Sequence, residues 1–194
     1  MKKKDRLGIG FVGGGFITRF HIRSWVGVRD ADVLGIVDPD EKRAREAAAL
    51  AKSLRVGEPR VFKSLAAMAS DPRIDAIWIG SPNYTRLEVM DEIAQAMLKG
   101  KAGLIGVACE KPLGRNVGEA KAMLTLARKA GVLDGYLENQ VISPAVVRGK
   151  EIVWARGASL CGPPFWPARP RSTAGPTCPG FGRERSRAGA SSTT

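Results

Sequence analysis

Three consecutive glycines, Gly13, Gly14 and Gly15, stand between an apolar run, Leu7 to Val12, and the segment Phe16-Ile17-Thr18. A turn built of residues without a Cβ lets a bulky anion come close to the backbone. A helix that starts there presents unpaired amides, those of Phe16 and Ile17 among them, to the anion's charge. The chemistry suited to this pattern is the binding of a dinucleotide pyrophosphate. Set against G-x-G-x-x-G, the chain supplies Gly13, Gly15 and, in the third place, Thr18. That place ordinarily lets helix pack on strand, so Thr18 is a departure. A purely structural turn would use the same glycines; the strand before and the helix after favour the ligand. Asp38 lies 23 positions beyond Gly15. Its carboxylate can accept hydrogen bonds from the adenosine ribose hydroxyls and repel a 2′-phosphate, which favours NAD over NADP. Followed by Pro39, the same Asp38 could serve only to make a turn and open a helix. Lys42 and Arg43 soften the preference and leave NADP possible.

The elements that must hold these residues are legible as alternating patterns. Leu7 to Val12, Val33 to Val37, Arg60 to Phe62, Ala76 to Ile79, Leu104 to Ala108 and Leu133 to Leu137 read as strands. Phe16 to Val26, Asp40 to Leu54, Tyr84 to Lys99 and Val117 to Lys129 read as helices, the second opened by acidic residues as the helix dipole favours. Strands apolar on both faces that alternate with helices predict an α/β fold: a Rossmann-type, doubly wound parallel sheet covered on each side. Residues 1–140 are the expected dinucleotide-binding domain. After Arg156 the character changes. Gly157 to Thr194 holds six prolines with many Gly, Ser and Arg residues and no sustained period. By composition this is an irregular, disordered tail or a linker.

Composition excludes several classes. With 194 residues and 44% apolar content the chain can bury an ordinary soluble core. No apolar run reaches the roughly 18 residues that cross a bilayer, so no membrane partner is expected. The basic start Met1 to Lys4 leads into a glycine-rich segment without a cleavage site, so no signal peptide is read and a cytoplasmic location is expected. Cys109, Cys161 and Cys178 lack metal-ligand spacing, and a single histidine argues against a zinc site, so no metal is expected. The net charge of +12 invites nucleic acid. The basic residues are nevertheless scattered among acidic neighbours without interleaved aromatics, and a solvated surface explains them.

Three later segments carry a family resemblance. Ile79-Gly80-Ser81-Pro82-Asn83 follows the fourth strand, Cys109-Glu110-Lys111-Pro112 the fifth, and Leu137-Glu138-Asn139-Gln140 the sixth. Taken in this order with the glycine turn, they resemble the T-P-N, E-K-P and E-N-Q segments of the Gfo/Idh/MocA oxidoreductases. The resemblance covers about residues 7–156. It implies that Ser81, Pro82, Asn83 and Glu110 line the cofactor cleft and that Asn139 contacts the nicotinamide ribose or substrate, unless Asn139 only caps the helix after it. It implies for Lys111 a catalytic place beside nicotinamide and substrate, where a cation polarises a carbonyl and assists proton transfer; otherwise Lys111 is a solvated residue before a proline turn. The family often has His three residues after the Asn, and this chain has Arg86 there, so no role is carried over. His21 matches another position where His is frequent and is read as a packed or capping residue. Cys109 is read as a buried strand residue.

The reaction implied is hydride transfer between a nicotinamide cofactor and a sugar- or polyol-like substrate, in a protein whose second domain supports the substrate site and a homo-oligomer interface. Residues 141–160 are read as the remnant of the lead into that domain, and 161–194 as a basic tail. The family's H-S-G-P segment and glycine triplet are absent from the written sequence. Arg171 to Gly182 can, however, be encoded so that the neighbouring frame reads Glu-His-Ser-Gly-Pro-His-Met-Pro-Gly-Phe-Trp. In the same frame Ala188 to Thr194 permits Gly-Gly-Val-Leu-Asn-Asp. The expectation is a single-nucleotide frameshift near residues 160–165, leaving a truncated, catalytically impaired oxidoreductase. The alternative is a dinucleotide-binding module or regulator without catalysis.

Overall fold

The computed structural model describes residues 6–155, in two units, residues 1–139 and residues 140–194. The expectations placed on residues 156–194, the basic tail and the shifted frame, lie outside the described residues.

The first unit is built on β1 (Leu7–Val12), β2 (Ala31–Val37), β3 (Arg60–Val61), β4 (Ala76–Ile79), β5 (Gly106–Glu110) and β6 (Leu133–Leu137). All pair in parallel in the order β3-β2-β1-β4-β5-β6, the doubly wound order expected from the alternation. Between the strands run α1 (Phe16–Ser24), α2 (Glu41–Ser53), α3 (Leu65–Ala69), α4 (Arg86–Leu98) and α5 (Val117–Ala130). The strand order reverses at β1, so α1 after β1 and α4 after β4 pack on opposite faces of the sheet. They leave a crevice outside the paired carboxyl ends of the two strands.

Two cores sit on the two faces of the sheet. Ile9 and Phe11 of β1 point with Val33, Ile22, Trp25 and Ala44 into one. Val12 points with Ile77, Ile79, Met90, Ile93 and Val107 into the other. In α2, Ala44, Ala47, Ala48 and Ala51 recur at helical spacing and are all buried, and their small side chains let the helix lie close on the sheet. Asp40 caps that helix by accepting from the Lys42 and Arg43 amides at 3.0 and 3.3 Å.

The structure moves several boundaries. Strand β5 ends at Glu110 rather than Ala108 because it stays paired with β6 through Glu110 and Leu137. Strand β2 begins at Ala31, opposite Leu7. Helix α1 stops at Ser24, and a 3-10 turn, Trp25–Gly27, carries the indole of Trp25 to the Ala31 carbonyl at 3.0 Å. The segment before α4 is a 3-10 turn, Asn83–Thr85. Cover on both faces holds for the inner strands and fails for β6, where Leu133 and Tyr136 are exposed.

Helix α3 was not expected, being too short for a periodic signal. It is fixed by a cap, Ser64 Oγ accepting from the Ala67 amide at 3.2 Å, and by a slot in the sheet. Gly10 and Gly35 are paired neighbours on β1 and β2. A Cβ on either would stand 2.9 Å from the Met68 sulfur. Met68, fully buried, fills the space both glycines leave open.

The described part of the second unit is mainly α6 (Pro144–Ala155). Proline at its first position and Ser143 before it suit a helix start, and the Val147 amide bonds the Ser143 carbonyl at 3.0 Å. Arg148 pairs with Glu151 at 2.8 Å, and Lys150 Nζ lies 4.5 Å from the centre of the Trp154 ring.

Met68→Ala should empty the slot over Gly10 and Gly35 and lower stability by about 2–4 kcal/mol, measured by urea unfolding. Unchanged stability would show that α3 does not depend on this contact.

Candidate functional site

A cleft of about 960 Å³ opens at the carboxyl edge of the sheet, where the connections after β1 and β4 leave for opposite faces. That volume is of the size that takes a dinucleotide. Its floor is the turn after β1. The Gly13 amide donates to the Val37 carbonyl at 2.8 Å, and Gly13 holds φ +92°, a region that glycine enters without strain. A Cβ there would press on the Ser81 amide at 3.1 Å. Gly15 precedes α1 with nothing within 4 Å of the place a Cβ would take. No side chain caps α1, and its first turn carries no acidic residue. The first backbone bond into it is made by the Arg19 amide to the Gly15 carbonyl, 3.1 Å. The amides of Phe16, Ile17 and Thr18 therefore have no partner within the helix, and its positive end faces the cleft uncompensated. That is a fit for a bound pyrophosphate.

Gly14 does a different job. It does not line the cleft, and its amide donates to Asp38 Oδ2 at 2.7 Å. A Cβ on Gly14 would meet the Arg43 carbonyl oxygen at 2.7 Å, so its role is close approach of the turn to α2. Asp38 lines the cleft, but both of its oxygens are already engaged. Oδ1 accepts from the Asp40 amide at 2.8 Å and lies 3.3 Å from the Arg43 guanidinium. Arg43 also reaches Asp40 at 3.3 Å and itself lines the cleft. Asp38 thus builds the turn, and of its two oxygens Oδ2, which takes only the Gly14 amide, keeps a further lone pair.

The departure at Thr18 has a compensation that the sequence reading missed. Thr18 is fully buried, and its Oγ1 lies 2.6 Å from where a Cβ on Gly80 would stand. Helix α1 can pack on the strands with Thr in the third fingerprint position because Gly80, after β4, has no side chain. The relevant signal was the Gly immediately before Ser81.

Beyond Gly80, Ser81 and Pro82 line the cleft, and Asn83 and Asn139 do not. At the end of β5, Glu110 and Lys111 line it. A second residue missed from sequence, Arg86, joins the two segments. It is buried, its Nε donates to the Ser81 carbonyl at 2.9 Å, and its Nη1 donates to the carbonyls of Glu110 and Pro112. One guanidinium thereby satisfies three carbonyls that would otherwise be buried unpaired. Glu110 is buried as well: Oε2 accepts from the Lys111 amide at 3.0 Å, and Oε1 lies 2.6 Å from Nε2 of His21. The sequence reading of His21 as a packed residue gains a specific partner here. Cys109 is buried as expected, and burial pushes its thiol up to about 11, which removes it as a nucleophile at neutral pH. Among the described residues no cluster of His, Cys, Asp or Glu could hold a metal, and no helix is long and apolar enough to cross a membrane.

The Gfo/Idh/MocA family model, described as oxidoreductase family, NAD-binding Rossmann fold, matches residues 7–136. D-apiose dehydrogenase of Paraburkholderia graminis is 28% identical over 155 residues, covering 80% of this chain and 37% of that protein. The scyllo-inositol 2-dehydrogenase (NADP(+)) IolU of Bacillus subtilis is 30% identical over 122 residues, covering 63% and 34%. Among solved structures, GenD2 from gentamicin A biosynthesis in complex with NAD superposes with a TM-score of 0.66 at 27% identity, covering 80% of this chain and 41% of that one. The chain spans well under half the length of these relatives.

Gly80→Ala should destabilise the first unit by about 1–3 kcal/mol, because its methyl group meets Thr18. Thr18→Ala in the same chain should return most of that loss. A double-mutant cycle by chemical unfolding checks the coupling; additive losses would show that Thr18 and Gly80 do not constrain one another.

Proposed function

The chain belongs to the Gfo/Idh/MocA oxidoreductase family and carries its NAD-binding Rossmann domain, and on that footing we propose how its own residues serve hydride transfer with a sugar- or polyol-like substrate. The observation that carries the reading is the shared cleft: the uncapped start of α1 and the Lys111 turn open onto the same space. Gly13, Gly15 and the amides of Phe16 and Ile17 receive the pyrophosphate. Gly14 serves indirectly by holding the turn against Asp38 and α2. Asp38 accepts from the adenosine ribose, and Ser81, Pro82 and Glu110 border the opposite half. Asn83 and Asn139 are kept as flanking contacts on the family resemblance alone. When bound, the nicotinamide supplies the hydride acceptor or donor. Lys111 binds the reacting oxygen and assists movement of its proton, which a cation near a carbonyl or hydroxyl can do.

Asp38 supports a preference for NAD, and Arg43 supports tolerance of NADP. The guanidinium held by Asp38 and Asp40 is half-exposed and borders the cleft, so it can turn towards a 2′-phosphate. Titration of the purified chain with NADH and NADPH, followed by fluorescence, should show the first binding more tightly. Arg43→Ala should weaken NADPH by about tenfold and leave NADH within about twofold. Loss of both in parallel would remove Arg43 from specificity. Binding of neither form would remove the functional reading.

For the residues beyond a break near 160–165 the shifted-frame reading stands as a proposal, supported by two family-like segments in one frame and in family order. On that reading the polypeptide as written binds dinucleotide but turns over polyols far more slowly than a frame-restored chain. Hydride transfer needs both reactants held in near contact, which is the task of the family's second domain. Resequencing the gene tests it: one inserted or deleted base should restore the family order. A verified coding sequence whose neighbouring frame spells something else would end the proposal. A dehydrogenase assay of the written and frame-restored chains over a polyol panel gives the catalytic counterpart.

A further inference from the structure

Arg86 holds a place that neither the glycine turn nor the role given to Lys111 explains. It is 5% exposed and is the first residue of α4. A guanidinium there is costly on two counts: burial strips its water, and the positive end of the helix dipole repels it. Three carbonyls offset that cost. Nε donates to Ser81 at 2.9 Å, in the loop after β4, and Nη1 donates to Glu110 and Pro112, at and beyond the end of β5. The two carbonyls on Nη1 stand immediately before and after Lys111. A planar, permanently charged group bonded to both neighbours of one residue fixes the direction of the backbone between them.

Lys111 needs such fixing. Its side chain is exposed, and among the described residues no ion pair tethers the ammonium. Its place therefore depends on its backbone. The Lys111 amide donates to Oε2 of Glu110 at 3.0 Å, and Arg86 takes the flanking carbonyls. The loop after β4, from which Arg86 reaches across, supports itself. The Gly80 amide donates to the Val12 carbonyl at 2.9 Å, and Thr85 Oγ1 lies 2.9 Å from Ser81 Oγ and 2.8 Å from the Pro82 carbonyl. Arg86 thus ties the Lys111 turn to a loop that is already held. The glycine turn does not depend on Arg86, since Gly13 is bonded to Val37 and Gly14 to Asp38. The two halves of the cleft have separate anchors: β2 and α2 for the adenosine and pyrophosphate, Arg86 for the end that carries Lys111.

We propose that Arg86 is a positioning residue for Lys111: by bonding the carbonyls on both sides of it from the loop after β4, it aims the Lys111 ammonium at the nicotinamide end of the cleft. The proposal rests on the dinucleotide-binding reading above. Arg86 borders the cleft, but Nε and Nη1 are engaged on carbonyls, so it acts through Lys111. Its removal leaves the adenosine and pyrophosphate half on its own anchors and releases the Lys111 turn. The loss should therefore fall on a ligand that carries nicotinamide and spare one that does not. Lysine is no substitute at this position, because a point ammonium lacks the fork that spans two loops.

The test compares NADH with ADP-ribose, which has the same adenosine and pyrophosphate but no nicotinamide. Kd for each is measured by calorimetry on the full chain. Acetylation of Lys111 by acetic anhydride is followed by mass spectrometry with each ligand at saturation. In the wild type NADH should slow that acetylation severalfold, and ADP-ribose should leave it unchanged. Arg86→Met keeps the bulk and removes the donors. It should weaken NADH about tenfold, the loss expected on removing hydrogen bonds from a charged group, and leave ADP-ribose within about twofold. It should also abolish the protection of Lys111 by NADH. A merely structural Arg86 would weaken both ligands in parallel or neither, and either result would overturn the proposal. So would weakened NADH with Lys111 still protected, or a wild type in which NADH binds without protecting Lys111; the dinucleotide reading would stand in each case. Binding of neither ligand to the wild type would overturn both. If Arg86→Met does not fold, Arg86→Lys decides by the same measurements: lost protection supports the proposal, and wild-type affinity and protection end it.

Discussion

The constraint behind the rest of the molecule is that α1 must begin with unpaired amides at the carboxyl end of β1, beside the end of β4. A helix start is ordinarily satisfied by a side-chain cap or by water. Here the preceding residue is Gly15, no side chain caps the helix and no acidic residue sits in the first turn. The turn can be left so bare only because it is anchored from behind. Gly13 bonds the end of β2, and Gly14 bonds Asp38, which is itself tied to the start of α2. The electropositive end of α1 is thereby presented on a rigid frame, which is what anion recognition by backbone dipoles requires.

Steric fit at the same turn shows how one departure from a pattern is met by another residue far along the chain. Thr18 brings a hydroxyl and a methyl group where the pattern asks for a very small residue. Gly80, at the end of β4, gives back the space. The same reciprocity recurs within the sheet, where Gly10 and Gly35 make room for Met68. Close packing makes such exchanges obligatory, since interiors leave few voids and tolerate little overlap.

Buried charge organises the opposite side of the cleft. Arg86 and Glu110 are both nearly inaccessible, yet they are not paired with one another through their side chains. Arg86 takes backbone carbonyls from two loops, and Glu110 takes an imidazole and an amide. Each loop after β4 and β5 is therefore held by a polar network with its members satisfied, an arrangement that favours a single geometry over the alternatives a loop could adopt. Lys111 owes its place at the cleft to these two anchors.

The sequence by itself determined the parallel α/β architecture, the glycine turn, the acidic residue after β2 and the E-K-P segment. These depend on periodicity and on short contiguous motifs, which local chemistry writes directly into the chain. The strand ends were legible to within about two residues, and the length of β5 was settled only by its pairing with β6. The tertiary structure alone decided the partners across sequence: Thr18 with Gly80, His21 with Glu110, Arg86 with three carbonyls, and Met68 with two glycines. It also separated Gly14 from its neighbours by giving its amide to Asp38. Each of these contacts joins residues at least 24 positions apart, except the Ser81 carbonyl taken by Arg86. Contacts between distant residues follow from how helices pack across the sheet, and no periodicity within one segment encodes them.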